Sequence, residues 1–236
     1  MKTKAWAVHI FTASGVLAGV LALQAAWQGQ IRLAFLWMLL AVFIDSVDGT
    51  LARRYRVHEH AAEIDGRRLD DMVDYFTWVI VPLLAMVQWG MLPPLLLAPP
   101  LICSALGMAH CQAKTEDDCF RGFPSLWNVV AFYLWRWDLG AAFNGGLVFT
   151  LALCVLLPFR CLYPSKSPLW PRLDMALAGL WGALVAASLW CDGEWSQRLF
   201  WWSNFYPPYY LLASLWLHWK RENGRSQEVG QATTTG

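Results

Sequence analysis

Long apolar runs, separated by short polar connections, dominate the chain. About eight of them approach the roughly 20 apolar residues that a transmembrane helix needs, although some are shorter. They cover residues 7–27, 31–45, 72–89, 92–109, 126–137, 141–161, 175–190 and 200–216. This pattern predicts an all-α polytopic membrane protein with about eight transmembrane helices.

Three of the runs have features that bear on this prediction. The fifth run is short and contains Arg136. Four prolines between residues 93 and 100 are expected to kink or interrupt the fourth run. The first run follows Lys2 and Lys4, as in a signal peptide, but its length and its direct continuation into a second run favour a transmembrane span.

The composition supports the membrane class. Hydrophobic residues make up 57% of the 236 residues and charged residues only 15%, whereas a soluble domain usually has about a quarter charged residues. We predict one transmembrane catalytic domain over residues 1–221. The small polar residues of segment 222–236 predict a disordered tail.

The distribution of basic residues predicts the orientation, because Lys and Arg are retained in the cytoplasm. If both termini are cytoplasmic, only three of the 18 Lys and Arg residues lie on the outer side, namely Arg32, Arg136 and Arg198. This bias favours cytoplasmic termini. A net charge of +1 without a basic, aromatic-rich face gives no indication of nucleic-acid binding.

Acidic residues occur where the second apolar run ends, in "DSVDGTLARR". If this stretch is helical, five residues at spacings of i, i+3, i+4, i+7 and i+8 share one face. These residues are Asp45, Asp48, Gly49, Ala52 and Arg53.

A second acidic group, "GRRLDDMVD", begins before the third run. Gly66, Asp70 and Asp74 are spaced by four residues and also share one helical face. The short connection predicts two antiparallel neighbouring helices with acidic faces that meet. Solvated loop charges are the simpler interpretation, but the shared faces argue against it.

Carboxylates brought together near a membrane repel one another and are costly to bury. Divalent cations with all-oxygen ligands, such as Mg²⁺ or Mn²⁺, would relieve this repulsion. Such ions bind readily through a few carboxylates together with substrate phosphates, which indicates a diphosphate substrate. Gly49, Ala52 and Gly66 leave space for that substrate, and Arg53 can pair with phosphate oxygens.

These eight positions fill the pattern Asp-x2-Asp-Gly-x2-Ala-Arg, spacer, Gly-x3-Asp-x3-Asp, so the chain resembles the CDP-alcohol phosphotransferases. The spacer, residues 54–65, has twelve residues where many members have eight. In this it is similar to the bacterial phosphatidylcholine synthases of that family. The stretch "GFPSLWNVVAFYLW", residues 122–135, resembles the same group.

The resemblance implies transfer of the phosphatidyl group of CDP-diacylglycerol to choline, a six-helix core, a homodimer, and a location in the bacterial inner membrane with the active site on the cytoplasmic side. It also implies roles for the pattern residues. Two metal ions, Mn²⁺ or Mg²⁺, would be held by Asp45, Asp48, Asp70 and Asp74. Asp74 would also act as the catalytic base. The CDP pocket would be lined by Gly49, Ala52, Arg53 and Gly66.

Other functions share parts of this pattern. "DDMVD", with Asp70, Asp71 and Asp74, matches the metal motif of membrane prenyltransferases. That interpretation leaves the Asp-Gly and Ala-Arg pairs of the first stretch unexplained. A transporter would carry its intramembrane acids on several helices, whereas here they lie at one membrane border.

The acceptor alcohol is the most open question, with serine, glycerol 3-phosphate and inositol phosphate as alternatives to choline. Aromatic faces bind a trimethylammonium group well. Trp127, Asn128 and Tyr133 are the candidates for a choline site, because their segment begins on the cytoplasmic side. The aromatic stretch 200–210 is interpreted as a membrane-interface belt.

Overall fold

The computed structural model describes residues 1–110, 119–164, 167 and 170–234, with side chains as far as residue 220. Lys114 and Lys166, which contribute to the predicted charge bias, lie outside the described residues. The chain folds into two compact units. Unit 1 comprises Met1–Met108 and Ser125–Leu153, and unit 2 comprises Ala109–Pro124 and Cys154–Gly236.

Helices account for most of the described chain. They are α1 Lys2–Trp27, α2 Ile31–Arg54, α3 Val57–His60, α4 Gly66–Asp74, a π-helical segment Tyr75–Ile80, α5 Val81–Gln88, a 3₁₀ turn Pro94–Leu97, α6 Ala98–Ala109, α7 Trp127–Trp137, α8 Ala141–Leu156, α9 Pro171–Trp190, α10 Gly193–Ser203 and α11 Tyr206–Thr234. Two short strands, β1 Phe120–Arg121 and β2 Arg160–Cys161, pair antiparallel. The predicted all-α class is therefore correct apart from this small ribbon.

In unit 1, α1 packs against α2, α4, the π segment and α5. Two glycines on one face of α1 permit the close approach. A Cβ atom on Gly15 would lie 2.8 Å from Val73 Cγ1, and one on Gly19 would lie 2.6 Å from Phe76 Cε1. A larger residue at either position would force a shift, so Gly15 allows the close approach of α1 to α4 and Gly19 its close approach to the π segment.

The segment from Gly66 to Gln88 is one continuous helical path in three parts: α4, the π segment and α5. The amide of Val81 donates to the carbonyl of Phe76, which is the five-residue spacing of a π turn. Pro82 follows in the first turn of α5 and has no amide to donate. Its position favours a change of helix type just before it.

Unit 2 contains the strand pair, α9, α10 and α11. The strands align Phe120 with Cys161 and Arg121 with Arg160. α11 binds the end of β2 through side chains, since Ser214 Oγ accepts from the Leu162 amide at 2.9 Å and Tyr210 donates to the Leu162 carbonyl at 3.0 Å. These bonds hold α11 against the ribbon.

The second apolar run ends at residue 45, and α2 continues to Arg54, which confirms the helix predicted from Asp45 to Arg53. One predicted span is wrong. The run 200–216 is not one helix, because α10 ends at Ser203 and α11 starts at Tyr206. Pro207 and Pro208 explain the restart, since proline fits the first turn of a helix and disrupts its interior.

Among the described residues, two helices are long and apolar enough to cross a membrane, Lys2–Trp27 and Pro171–Trp190. Pro94–Ala109 and Ala141–Leu156 are apolar but shorter. The count of eight spans therefore remains a prediction. So does the domain division at residue 221, although the backbone of α11 continues as helix to Thr234.

Candidate active site

Three carboxylates from two helices converge in unit 1. One side-chain oxygen of each of Asp45, Asp70 and Asp74 lies within 4.8 Å of the others, and all three residues are half-buried. Asp45 lies on α2, while Asp70 and Asp74 lie one turn apart on α4. The predicted meeting of the two acidic faces is therefore confirmed for these residues.

Asp48 lies one turn after Asp45 on α2 and is buried, with 6% of its surface exposed. Among the described residues, the group of converging carboxylates does not include Asp48. The helical spacing still places it on the same side of α2 as Asp45. Its role as a metal ligand remains a prediction.

Gly49 and Arg53 are neighbours on α2. A Cβ atom on Gly49 would lie 3.5 Å from Arg53 Nη1, so the guanidinium extends back over the glycine. Arg53 Nη2 donates to Thr50 Oγ1 at 3.2 Å, and the side chain is exposed. The guanidinium of Arg53 is thus held above Gly49, which has no side chain and lies one helical turn after Asp45.

Ala52 packs elsewhere. It lies against a cluster of buried residues from α1 and the spacer, together with Leu51 and Tyr55. The cluster consists of Ala5, Val8, Val57 and Ala61. Small size at position 52 thus allows α2 to pack against α1 and the spacer. A contact of Ala52 with CDP remains a prediction.

Gly66 begins α4, and Asp65 caps that helix by accepting from the amides of Arg67 and Arg68 at 3.1 and 3.2 Å. A Cβ atom on Gly66 would lie 3.3 Å from His9 Cε1. The space at Gly66 is therefore occupied, at least on this side, by a side chain of α1. Its predicted contact with CDP is not tested by this geometry.

His9 is a residue near the site that sequence reasoning missed. Its ring is buried, with 4% exposed, and its Nε2 lies 3.3 Å from the carbonyl oxygen of Ala61 in the spacer. A histidine near the start of an apolar run was the available signal. Because it contacts both Ala61 and the position of Gly66, His9 helps to fix the start of α4.

The spacer is also tied to the start of the chain by an ion pair. Lys2 Nζ donates to Glu63 Oε1 at 2.7 Å, with both side chains largely exposed. The hydrogen bond from Lys2 lowers the pKa of the Glu63 carboxyl below its usual value. This contact holds the exposed edge of the spacer.

The converging carboxylates suit a hard divalent cation. Two unit charges about 4 Å apart repel by roughly 4 kcal/mol at the dielectric typical of a protein surface. Half-buried oxygen donors that come from two helices would suit Mg²⁺ or Mn²⁺. Asp71 is absent from the group of converging carboxylates in the described residues, which does not favour the prenyltransferase interpretation of "DDMVD".

The three predicted choline-site residues are buried in unit 1 but lie on different sides of α7. Trp127 is fully buried and donates from Nε1 to Ser104 Oγ at 2.8 Å. Asn128 accepts from the Val129 amide, and Tyr133 packs beside Trp137. Successive residues of an α-helix are about 100° apart, so the three side chains point in different directions around α7. Their role remains a prediction without support from this geometry.

Comparison with known proteins confirms the family that the sequence resembles. The sequence profile of the CDP-alcohol phosphatidyltransferase family matches residues 7–156. The chain belongs to this family and is a transferase enzyme.

Three relatives make the relationship more specific, and each is named phosphatidylcholine synthase. The protein of Pseudomonas aeruginosa is 36% identical over 192 residues, which cover 80% of both chains. That of Bradyrhizobium diazoefficiens is 36% identical over 80% of this chain and 72% of its own. That of Rhizobium johnstonii is 34% identical over 84% of both chains.

Proposed function

We propose that this enzyme transfers the phosphatidyl group of CDP-diacylglycerol to choline, giving phosphatidylcholine and CMP. The observation that carries the proposal is the convergence of Asp45, Asp70 and Asp74 within 4.8 Å. The names of the three relatives support choline as the acceptor.

Asp45, Asp70 and Asp74, with Asp48, would hold two divalent cations, Mn²⁺ or Mg²⁺. When bound, these ions neutralise the diphosphate and make CMP a better leaving group. The fit of the site to such ions rests on its all-carboxylate donors and on their arrival from two helices.

Side chains of the protein bind the nucleotide and accept the proton. Arg53 pairs with phosphate oxygens of the CDP moiety and orients it, and Gly49 leaves space for the nucleotide. The contacts of Ala52 and Gly66 with CDP are kept as predictions, since both residues also pack within the protein. The choline oxygen attacks the phosphorus that carries diacylglycerol, and the bond from that phosphorus to the CMP oxygen breaks. The bonding pair leaves with CMP. Asp74 accepts the hydroxyl proton as the new P–O bond forms.

The same proposal includes the setting of the enzyme. We infer eight transmembrane spans with a six-helix core, in the bacterial inner membrane as a homodimer. The charge bias supports cytoplasmic termini and a cytoplasmic active site.

An acceptor screen tests the proposal. Purified protein would receive labelled CDP-diacylglycerol, Mn²⁺ and, separately, choline, serine, glycerol 3-phosphate or inositol phosphate. We expect labelled lipid and CMP in equal amounts with choline alone. Use of serine or of a phosphate-bearing alcohol in place of choline would show that the acceptor assignment is wrong, while leaving the reaction class intact.

A further inference from the structure

Unit 2 contains a carboxylate that the proposed mechanism does not use. Asp174 lies in the first turn of α9 and has no exposed surface. Its Oδ1 accepts a hydrogen bond from the hydroxyl of Tyr209 on α11. Its Oδ2 is buried and has no hydrogen-bond partner within the described part of the chain.

Aromatic rings lie on the facing sides of α9 and α11, the two helices that the Asp174–Tyr209 hydrogen bond joins. Trp181 lies seven residues after Asp174, on the same face of α9. It stacks on Tyr206 of α11, with ring centroids 5.3 Å apart. The rings of Tyr209 and Tyr210 lie 6.0 and 6.3 Å from that of Tyr206. The facing sides of α9 and α11 therefore combine one buried carboxyl group with four aromatic rings.

A buried carboxylate without a full set of donors is costly, and a cation placed against it removes that cost. A divalent metal is a poor match, because it needs several oxygen ligands. The hydroxyls of Tyr209 and Tyr210 already donate to Asp174 and to the Leu162 carbonyl. A quaternary ammonium has no N–H to satisfy and binds through charge and aromatic faces.

The residues just before Asp174 are exposed at the N-terminal end of α9. An open surface depression of about 520 Å³ lies there, lined among the described residues by Trp170, Pro171, Arg172 and Leu173. Asp174 itself is buried and is not among these lining residues, so the depression marks only the exposed surface next to the first turn of α9.

We propose that Asp174, Trp181, Tyr206 and Tyr209 form a binding site for a trimethylammonium group. The negative charge comes from Asp174 and the cation–π surface from the three aromatic side chains. The choice of trimethylammonium among organic cations rests on the proposed function, whose acceptor is choline. The site itself rests on unit 2 alone.

A titration on the full-length protein tests the role of charge. The ligands are choline, tetramethylammonium and the neutral analogue of choline in which a tert-butyl group replaces the trimethylammonium group. We expect both cations to bind roughly tenfold or more tightly than the neutral analogue. Asp174→Asn, which keeps an oxygen to accept from Tyr209, should remove that preference. Equal binding of charged and neutral ligands by the wild type, or a preference that survives Asp174→Asn, would overturn the proposal.

A second pair of variants keeps the test decisive if Asp174→Asn does not fold. Tyr206→Phe retains the aromatic face and should bind tetramethylammonium as the wild type does. Tyr206→Leu removes the face and should weaken binding about tenfold. Equal affinities in these two variants would contradict the proposal.

Competition experiments show whether the bound trimethylammonium group belongs to free choline or to a lipid headgroup. Displacement of bound tetramethylammonium by free choline identifies the acceptor, whereas displacement only by vesicles of phosphatidylcholine, and not of phosphatidylglycerol, identifies the lipid headgroup. Either result supports a trimethylammonium site. If the acceptor screen rejects choline but Asp174-dependent binding persists, the proposed function fails and this inference stands. If choline is used while Asp174→Asn changes neither binding nor KM, the inference fails alone.

Discussion

The molecule contains carboxylates in two contrasting environments. In unit 1, Asp45, Asp70 and Asp74 are half-buried, come from two helices and lie within 4.8 Å of one another. In unit 2, Asp174 is fully buried and receives a hydrogen bond from one tyrosine. The first arrangement gathers charge at a place that solutes can reach, while the second encloses a single charge in protein. We therefore expect the first to control the chemical step and the second to affect stability and cation binding.

The largest effect should come from removing charge in unit 1. Asp70→Asn should reduce phosphatidyl transfer roughly hundredfold or more, because the metal site loses a charged ligand. Chelation with EDTA should abolish transfer by the wild type, and Mn²⁺ or Mg²⁺ should restore it. The melting temperature of Asp70→Asn should stay close to that of the wild type. Full activity after exhaustive chelation would remove the metal-dependent mechanism.

Two aspartates on α4, Asp74 and Asp71, provide the second test, which distinguishes a catalytic carboxylate from its neighbour. Asp74→Asn should keep binding of CDP-diacylglycerol but lose transfer by about 10²- to 10⁴-fold, because an amide cannot accept the proton. Asp71→Asn is the matched control and should be mild, since Asp71 is not among the converging carboxylates in the described residues. Transfer rate and nucleotide affinity would be measured for both variants. An inactive Asp71→Asn with an active Asp74→Asn would reverse the assignment.

The packing of α1 against the π segment that follows Asp74 gives the third test. Gly19→Ala should destabilise the protein by about 1–3 kcal/mol, because the new Cβ would lie 2.6 Å from Phe76 Cε1. Gly146→Ala in α8 is the control, as no atom lies within 4 Å of its added Cβ. Thermal unfolding in detergent would compare the two variants. Equal melting temperatures would show that α1 can move away without loss.

In unit 2, Tyr209→Phe should lower stability by about 1–3 kcal/mol, because Asp174 loses the hydroxyl that donates to its buried oxygen. Tyr206→Phe removes a hydroxyl from the same helix and should be nearly neutral. Unfolding in denaturant would measure both. If the two variants unfold alike, the Asp174–Tyr209 bond contributes nothing to stability, and the contrast between the units weakens.

The smallest effect is expected at the exposed ion pair. The hydrogen bond from Lys2 lowers the Glu63 pKa, so its contribution is present above the ordinary glutamate pKa and is lost as the pH falls through the lowered value. Glu63→Gln should therefore melt slightly below the wild type at neutral pH, and the difference should shrink as the pH falls below the ordinary glutamate pKa. A difference that grows in acid would contradict this sign.

The aspartate pattern could be predicted from the sequence because helical spacing alone places its members on shared faces. Convergence of Asp45 with Asp70 and Asp74 required only that the two helices be neighbours. The contact between His9 and the spacer could not be predicted, since residues 9 and 61 are brought together by helix packing. For the same reason, no local pattern linked Asp174 to Tyr209.

The aromatic stretch near residue 206 shows a different limit. Tyr and Trp near the end of an apolar run are typical of a membrane-interface belt, and composition does not distinguish that belt from a ring cluster around a carboxylate. The helix break before Tyr206 could not be predicted from hydropathy, because the apolar run continues across it.

The π-helical segment Tyr75–Ile80 directly follows Asp74. A π turn contains about one residue more than an α turn, so it changes the angular phase of everything after it by about 100°. Removing one residue there would restore a regular α-helix and barely shorten it. The buried residues of α5, such as Leu83 and Met86, would then be turned away from their packing partners relative to Asp70 and Asp74. A single deletion in this segment would therefore rotate the apolar face of α5 by about 100° relative to the acidic face of α4.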